Sequence, residues 1–177
     1  MTTGNIVEPV AFDDSPSHKG NSIVLQPEEG YSYWQPAPAS GYATIKVSPE
    51  NCCSNFVSMG IQAIAEGGYV REHWHGKHEE ILFCFEGEAE VLVDGIPHRF
   101  VPGTTVFVGR WVRHKITNTG SGYLKMTWTY LPPGLHEFMQ SVGEPRKPGE
   151  PEPAQFPRPA DTVEIERKAG FGPKIGD

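Results

Sequence analysis

The chain has 177 residues, of which 37% are apolar, so it is long enough for one well-filled core and too short for two ordinary domains. Its net charge of −7 and its lack of a clustered Lys/Arg stretch argue against nucleic acid or an anionic membrane as the main partner. Because no apolar run of about 18 residues and no secretory signal pattern occurs, we expect a cytoplasmic protein. Three cysteines, two of them adjacent, fit reduced thiols.

The predicted elements are mostly short strands separated by turns. With 20 glycines and 17 prolines, the composition favours an all-β barrel or sandwich. We predict a flexible N-terminal arm at residues 1–21, a barrel at residues 22–131 and a C-terminal extension at residues 132–177. Barrel strands are predicted at 22–26, 31–35, 42–47, 56–65, 88–93, 96–100, 104–108 and 123–131, with a loop at 49–55. The dipeptide Asp94-Gly95 favours a two-residue hairpin turn.

The C-terminal extension contains two predicted helices joined by an extended linker. The run GLHEFMQSVG has one apolar side, and Asp161 with Glu164 gives a second helix a typical start, with Gly170 at its end. The linker EPRKPGEPEPAQFPRP is too rich in proline to be a helix or a central strand. We expect His136, on the first helix, and His98, just past the hairpin turn, to lie at the surface.

The stretch GGYVREHWHGKHEEILFCFEG, from Gly67 to Gly87, has the pattern of a metal site built on two β-strands. Alternation along a strand turns His73 and His75 to the same face, so that two imidazoles converge. After a short turn, the next strand can aim one of its two adjacent glutamates at the same point. Imidazole nitrogen and carboxylate oxygen suit first-row divalent metals, and we expect a further ligand from later in the chain.

Parts of this stretch and of a later one resemble the two sequence motifs of the cupin superfamily. The first motif, G-x5-H-x-H-x(3,4)-E-x6-G, is matched by Gly67, His73, His75, Glu80 and Gly87. The second motif, G-x5-P-x-G-x2-H-x3-N, is matched by Gly103, His114 and Asn118. Gly109 and Trp111 depart from it where the motif has Pro and Gly, and this departure bears on the shape of the loop.

The resemblance to single-domain cupins implies a fold, a ligand set and a partner. The implied fold is an all-β double-stranded β-helix, or jelly-roll, barrel. The implied metal ligands are His73, His75, Glu80 and His114, since Glu80 rather than Glu79 keeps the motif's spacing to the following glycine. Such a set leaves one or two open positions on a divalent ion, as in a catalytic site. Iron(II) is the expected metal, with nickel, manganese, cobalt or zinc as alternatives.

Two further expectations come from the same resemblance. Because N-terminal strands of cupins often cross to a second subunit, we expect a homodimer. The alternative to metal binding is a barrel that keeps the four residues as polar groups of its core, which is costly when such groups are unpaired.

The runs TWTYLPPGLHEFMQSVGEP and DTVEIERKAGFGP resemble the strand, turn and helices that follow the barrel in quercetin 2,3-dioxygenase-like cupins. This resemblance implies a dioxygenase that takes O2 and a small aromatic, phenolic or enol substrate. In it, Glu80 also serves as the catalytic base for a phenolic proton. One alternative is a non-redox metal-dependent cyclase, isomerase or lyase. A second alternative is a regulatory cupin that only binds a small ligand.

The substrate pocket is predicted from the strand residues near the ligands. Its candidate walls are Tyr69, Arg71, Leu82, Cys84, Phe107 and Trp128. Arg71 either clamps an anionic group of the substrate or pairs with a barrel glutamate, and Cys84 is more readily explained as a small core residue. We expect His78 in solvent at the rim, with a role as a proton carrier beside Glu80 as the alternative. Alternation alone does not tell which face of the last strand meets the metal.

Overall fold

Two antiparallel β-sheets enclose one core in this fold. The structure, a computed structural model, describes residues 21–172. Its elements are β1 (Tyr31–Trp34), β2 (Tyr42–Val47), α1 (Pro49–Cys52), β3 (Ser58–Ile64), β4 (Tyr69–His73), β5 (Glu79–Glu86), β6 (Ala89–Val93), β7 (Ile96–Phe100), β8 (Thr105–Val108), β9 (His114–Asn118), β10 (Leu124–Leu131), α2 (Leu135–Val142), β11 (Glu144–Pro145) and α3 (Thr162–Ala169). Over this part of the chain, none of the helices has the length and apolar character that crossing a membrane requires.

The order of the strands is that of a jelly roll. One sheet has seven strands in the order β11-β1-β2-β3-β10-β5-β8, and the other has four in the order β4-β9-β6-β7. Every pairing is antiparallel, and β10 lies between β3 and β5 although these strands are distant in sequence. This arrangement confirms the expected all-β jelly-roll class.

The core lies between the two sheets and is filled by alternate residues of each strand. Along β10 the side chains of Leu124, Met126, Trp128 and Tyr130 are buried, which identifies the inward face of the last strand. Leu82 and Phe100, from β5 and β7, are fully buried in the same cluster. Each such large apolar side chain stabilises the fold by about 1.5–3 kcal/mol. Inward positions of β5 and β10 are therefore fixed by packing before any metal binds.

Most strand bounds lie within two residues of the prediction, but two segments differ. Residues 22–26 form no strand. At the end of this segment, Lys46 of β2 donates from Nζ to the carbonyls of Gln26 and Pro27 at 2.8 and 2.7 Å. Residues 49–55 were predicted as a loop and contain α1, which has Pro49 in its first turn, where proline is tolerated. The predicted arm at residues 1–21 lies, except for its last residue, outside the described residues.

The turn and the C-terminal helices follow the predicted signals. Asp94 and Gly95 have φ angles of 47° and 81°, as a hairpin turn of this type requires. Helix α3 ends at Ala169 and is followed by Gly170, whose φ is 80°, although Asp161 makes no capping bond with its side chain. The surface prediction for His136 is wrong: it is 2% exposed, and its Nε2 lies 3.4 Å from a carboxylate oxygen of Glu50. Its helix packs against β3, which buries that side.

Asn118 of the second motif ties together the loops at one end of the barrel. Its Nδ2 lies 3.0, 3.0 and 2.8 Å from the carbonyl oxygens of Ile64, Ala65 and Gly122, and its Oδ1 accepts from the backbone N–H of Gly120 at 3.1 Å. The side chain is 3% exposed. Since buried carbonyls left without a donor are costly, this side chain has a structural role.

Asn118→Ala should therefore lower the free energy of unfolding by about 1–3 kcal/mol, because it leaves buried carbonyls unpaired. Urea unfolding followed by circular dichroism measures the change. The exposed Asn55 gives the matched control, Asn55→Ala, for which we expect almost no effect. Equal unfolding midpoints for the two variants would contradict the structural role.

Candidate metal centre

Two cross-strand pairs, one in each sheet, form the centre of the site. In the four-stranded sheet His73 of β4 pairs directly with His114 of β9. In the seven-stranded sheet Glu80 of β5 pairs with Tyr130 of β10. All four side chains are buried, because both pairs point into the space between the sheets. His75 follows the end of β4 and is the fifth member, fully buried.

The polar atoms of these residues lie at distances that suit shared coordination. The ligand atoms of His73, His75 and His114 all lie within 4.8 Å of one another. The Nε2 atoms of His75 and His114 are 3.3 Å apart, and Glu80 Oε2 lies 3.4 Å and 3.1 Å from them, respectively. Two ligands each about 2.1 Å from one ion, at about 90–110°, would be roughly 3.0–3.4 Å apart. The three shortest separations fall in this range.

Backbone carbonyls fix the tautomers of two of the histidines. His73 Nδ1 lies 2.8 Å from the carbonyl oxygen of Arg71, and His114 Nδ1 lies 3.2 Å from that of Val112. A carbonyl oxygen only accepts, so in each ring Nδ1 carries the proton and donates. In the neutral imidazole, Nε2 then has a lone pair rather than a hydrogen. Such an arrangement orients a histidine for metal binding.

The carboxylate of Glu80 shows why a cation fits this group. Glu80 Oε2 is fully buried and has no partner with hydrogen-bond geometry within the described part of the chain, although two imidazole nitrogens lie close to it. Because His114 Nε2 presents a lone pair, two acceptors face each other at 3.1 Å. A proton or a metal ion between them removes this repulsion. A divalent ion satisfies all the acceptors at once, so the donor set fits a first-row transition metal.

The electrostatics of the site keep its ligands in metal-binding states. Burial raises the pKa of the Glu80 carboxyl, but where the metal-free site holds a proton between this carboxylate and the imidazoles of His114 and His75, their hydrogen-bonding and charge contributions outweigh burial and lower that pKa to about 2. Burial also lowers the pKa of the His75 imidazole below its usual 6.5, with Glu80 opposing the shift. At neutral pH the site therefore contains an ionised carboxylate and a neutral His75 imidazole.

Tyr130 is a site residue that the sequence analysis did not assign. Its hydroxyl lies 3.0 Å from His75 Nε2, and the residue is 1% exposed. Burial, followed by the charge of Glu80, raises the pKa of the Tyr130 phenol well above its usual range, so it stays protonated. The signal that could have identified it is the register: the inward residue of β10 opposite Glu80 must lie beside the metal ligands.

The C-terminal segment closes one side of the site. Phe171 forms a β-bridge with His75, its ring centroid lies 5.1 Å from that of His75, and Gly172 N–H donates to the Trp74 carbonyl at 2.9 Å. The rim prediction for His78 is wrong: it is 5% exposed, and its ring nitrogens lie 2.9 Å from carbonyl oxygens on either side, those of Pro132 and Ala169. The end of α3 thus covers a residue that would otherwise meet solvent.

An ion pair joins the same helix to β4. Arg71 Nη2 lies 3.7 Å from Oε1 of Glu166 in α3, and Arg158 Nη1 donates to the same oxygen at 3.0 Å. Glu166 is buried between the two guanidinium groups. Of the two interpretations left open for Arg71, an ion pair is therefore present, but its partner is a glutamate of the C-terminal helix rather than of the barrel.

A mostly apolar cavity lies next to the ligands. Its lining includes His73, Glu80, His114 and Tyr130. Much of its apolar wall consists of Val70, Ile116, Leu135, Phe138, Met139 and Phe171. Helix α2 and the C-terminal segment, rather than the barrel strands alone, thus supply a large part of the wall. Both segments were predicted to lie outside the barrel and were not expected in the pocket.

The six predicted wall residues are not part of this lining. Leu82, Cys84 and Trp128 are fully buried in the core between the sheets. Phe107 is 61% exposed, because the β5–β8 register places it opposite the outward-facing Ile81. The ring centroid of Tyr69 lies 4.8 Å from the ammonium nitrogen of Lys115. Arg71 makes the ion pair with α3. Alternation along the sequence gives the face of a strand on which a residue lies but not its depth along the barrel, so these residues lie apart from this cavity.

The loop before His114 keeps a left-handed turn in spite of its departure from the second motif. Trp111 has a φ angle of 69°, a conformation that favours glycine. Its ring packs on the ring of Trp74, with centroids 4.5 Å apart. The backbone N–H of Trp111 donates to the His75 carbonyl at 2.9 Å. These contacts offset the strain of the backbone, so His114 still reaches the site.

Comparison with known proteins relates the site to a family. Residues 60–130 match the family model described as the cupin domain, and this range contains all four candidate ligands. Fold and site define a jelly-roll barrel with an internal group of candidate metal ligands. Over the matched residues, that barrel is similar to a cupin domain.

Two curated proteins match parts of the chain. Protein SchB of Streptomyces halstedii is 34% identical over 62 residues, which make up 35% of this chain and 45% of that protein. Quercetin 2,3-dioxygenase of Bacillus subtilis (strain 168) is 27% identical over 124 residues, 68% of this chain and 36% of that enzyme. The chain therefore spans less than half the length of the curated relatives it matches.

Solved structures share the fold. KdgF from Halomonas sp. has a TM-score of 0.52 at 17% identity, covering 63% of this chain and 94% of that one. An RmlC-like cupin from Shewanella frigidimarina NCIMB 400 has a TM-score of 0.53 at 17% identity, covering 64% and 94%. At this level of identity, both comparisons support the fold class alone.

Removing one imidazole should remove the metal. We expect His75→Ala to lower the metal content of the purified protein at least about tenfold, because the ligand set loses a nitrogen that cannot be replaced from a buried wall. Elemental analysis measures the content, and circular dichroism checks the fold. The exposed His98 provides the control, His98→Ala. Full metal content in the His75 variant would contradict the assignment.

Acid should destabilise the metal-free protein through Glu80. Its folded pKa of about 2 lies below the unfolded 4.5, so its stabilising contribution is present above pH 4.5 and is lost as the pH falls towards 2. The shift corresponds to about 3 kcal/mol at most. His75 acts in the same direction as the pH falls below 6.5, since its folded pKa is also lowered.

Urea unfolding of the metal-free protein at pH 4.5 and at about pH 3 tests this contribution. The free energy of unfolding should fall more steeply between the two pH values in the wild type than in Glu80→Gln, which has no carboxyl to protonate. Parallel losses in the two proteins would show that Glu80 does not have a depressed pKa.

Proposed function

We propose that this cupin is a metal-dependent dioxygenase acting on a small aromatic, phenolic or enol substrate. The observation that supports it is the position of two imidazoles, a carboxylate and a protonated phenol at the wall of one mostly apolar cavity, with the imidazole of His75 directly behind them. The partial similarity to a quercetin 2,3-dioxygenase agrees with this proposal. His73, His75, His114 and Glu80 would hold the ion.

A bound first-row ion supplies a Lewis acid that lowers the pKa of a coordinated phenol or enol, together with redox chemistry towards dioxygen. The residues of the chain accept the substrate proton and donate a hydrogen bond to the substrate. Glu80 is ionised at neutral pH and adjoins the cavity, so it can accept the substrate proton once the acidity of the phenol has been raised. Tyr130 keeps its proton and can donate a hydrogen bond to a substrate oxygen beside the ligands.

The apolar wall binds and orients the substrate. Phe138 and Phe171 have ring centroids 5.1 Å apart and an interplanar angle of 80°, so they offer two aromatic surfaces at right angles. Val70 and Ile116, from the four-stranded sheet, complete the wall beside the ligands. A flat apolar substrate with one acidic oxygen suits these surfaces, whereas a highly hydroxylated sugar would leave many polar groups unpaired. The wall also keeps water from the reacting oxygen.

A non-redox cyclase or isomerase is the second candidate, and Tyr130 favours it. A protonated phenol and an ionised carboxylate paired across two strands form an acid and a base on the same wall. Such a pair can move a proton from one substrate atom to another without oxygen, with the ion acting only as a Lewis acid. The two candidates share the site and differ in whether oxygen is consumed.

Several finer expectations remain predictions. Iron(II) as the resident metal depends on availability as well as on the ligands. The homodimer, the cytoplasmic location and the absence of nucleic-acid or membrane partners are expectations from the sequence.

Oxygen electrode measurements with flavonols, catechols and 1,3-diketones separate the two candidates. We expect uptake of one equivalent of O2 per substrate by the metal-loaded protein. Tyr130→Phe should lower kcat about 100-fold, the contribution of one acid–base group, with metal content unchanged. Tyr31→Phe is the matched control, since Tyr31 is 50% exposed. Turnover without oxygen uptake would favour the isomerase, and tight binding without any turnover would contradict both.

A further inference from the structure

The cavity contains two glutamine side chains, Gln35 and Gln62, that no step of the proposed function uses. Both are buried. They lie in a cavity whose wall is otherwise mostly apolar, where a polar group is costly unless it is paired. Their hydrogen bonds therefore show what a bound molecule must offer.

A chain of hydrogen bonds fixes the orientation of both amides. Gln35 Nε2 donates to the carbonyl oxygens of Ser40 and Ala63, at 2.9 and 3.0 Å, so both of its N–H groups are used. Because carbonyls only accept, the amide of Gln35 cannot be reversed, and its Oε1 must accept. Gln62 Nε2 donates to that oxygen at 2.5 Å. The Gln62 amide is thereby fixed as well, with Oε1 as its remaining acceptor.

Among the described residues, Gln62 Oε1 has no hydrogen-bond donor, and Gln62 is part of the cavity lining. The backbone carbonyls thus fix the orientation of both amide groups. As a result, the oxygen of Gln62 faces the cavity as a hydrogen-bond acceptor. We propose that Gln62 is a specificity-determining residue, which accepts a hydrogen bond from a hydroxyl group that the aromatic substrate has in addition to its metal-bound oxygen. This inference rests on the proposed function, since it assumes an aromatic substrate in the same cavity.

The strand register shows that such a substrate must be elongated. Gln62 lies opposite Met126 on β10, and Glu80 lies opposite Tyr130, four residues further along the same strand. At about 3.4 Å per residue, the backbone levels of the two residues are roughly 14 Å apart along β10. Because both side chains line the cavity, a molecule that contacts both must extend along this strand. A scaffold of two fused rings with a hydroxyl at each end suits this requirement better than a single ring.

Binding of matched naphthols to the metal-loaded protein, measured by calorimetry without oxygen, tests the role of Gln62. The probes are 2,6-dihydroxynaphthalene, 2-naphthol and 6-methoxy-2-naphthol, of which only the first has a second donor. We expect the wild type to bind the diol about tenfold more tightly than 2-naphthol, which corresponds to about 1.4 kcal/mol. The methoxy compound should gain nothing over 2-naphthol, because it cannot donate to Gln62 Oε1.

Gln62→Met should bind the diol and 2-naphthol equally, with metal content unchanged, because methionine keeps the volume and removes the acceptor. The control is Gln140→Leu, since Gln140 lies on the exposed side of α2 and should keep the tenfold preference. Equal binding of the diol and 2-naphthol by the wild type, or a preference that survives in Gln62→Met, would overturn the role of Gln62 and leave the aromatic-substrate proposal standing. Binding of none of the three naphthols by the wild type would overturn both.

Discussion

Burying several acceptor groups against one another is unfavourable unless a cation lies among them, and the centre of this barrel depends on that constraint. Glu80 Oε2 and the Nε2 atoms of His75 and His114 lie within 3.4 Å of each other, away from solvent. The Nδ1 protons of His73 and His114 are already committed to backbone carbonyls. The remaining lone pairs converge, and a divalent ion turns their mutual repulsion into coordination.

Each of the two sheets contributes one pair of residues to this centre. The four-stranded sheet contributes the His73–His114 pair and the seven-stranded sheet contributes the Glu80–Tyr130 pair, so the ion would lie between two independently hydrogen-bonded frameworks. Core packing along β5 and β10 fixes the direction of Glu80 and Tyr130 whether or not an ion is bound. The C-terminal segment adds Phe171 and covers His78, and the ion pair of Glu166 with Arg71 and Arg158 joins that segment to the barrel.

The sequence predicted those parts of the site that depend on short-range spacing. Strand alternation brought His73 and His75 to one face, and resemblance to the cupin motifs added Glu80 and His114. Likewise, the Asp94-Gly95 turn follows from local backbone preference. Most strand bounds were predictable for the same reason, whereas the jelly-roll class came from the resemblance to cupins.

The parts that the sequence did not predict depend on long-range register and on packing. Tyr130 becomes a site residue only through its pairing with Glu80, 50 positions earlier in the chain. Phe171 reaches His75 through a bridge between segments almost 100 residues apart, and His78 is buried by the carbonyl of Ala169 at the end of a helix that was placed outside the barrel. The predicted wall residues lie outside this cavity for a similar reason, since alternation distinguishes the faces of β5 but not the depth at which Leu82 lies.

The central claim is that three imidazoles and one carboxylate share a single ion. X-ray absorption spectroscopy of the protein titrated with Co(II) tests it most directly, because the spectrum reports the number and type of the ligands. The account predicts one tightly bound ion per chain with three imidazole nitrogens at about 2.1 Å and at least one carboxylate oxygen. A bound ion with fewer than three imidazoles, or no stoichiometric binding at all, would contradict it.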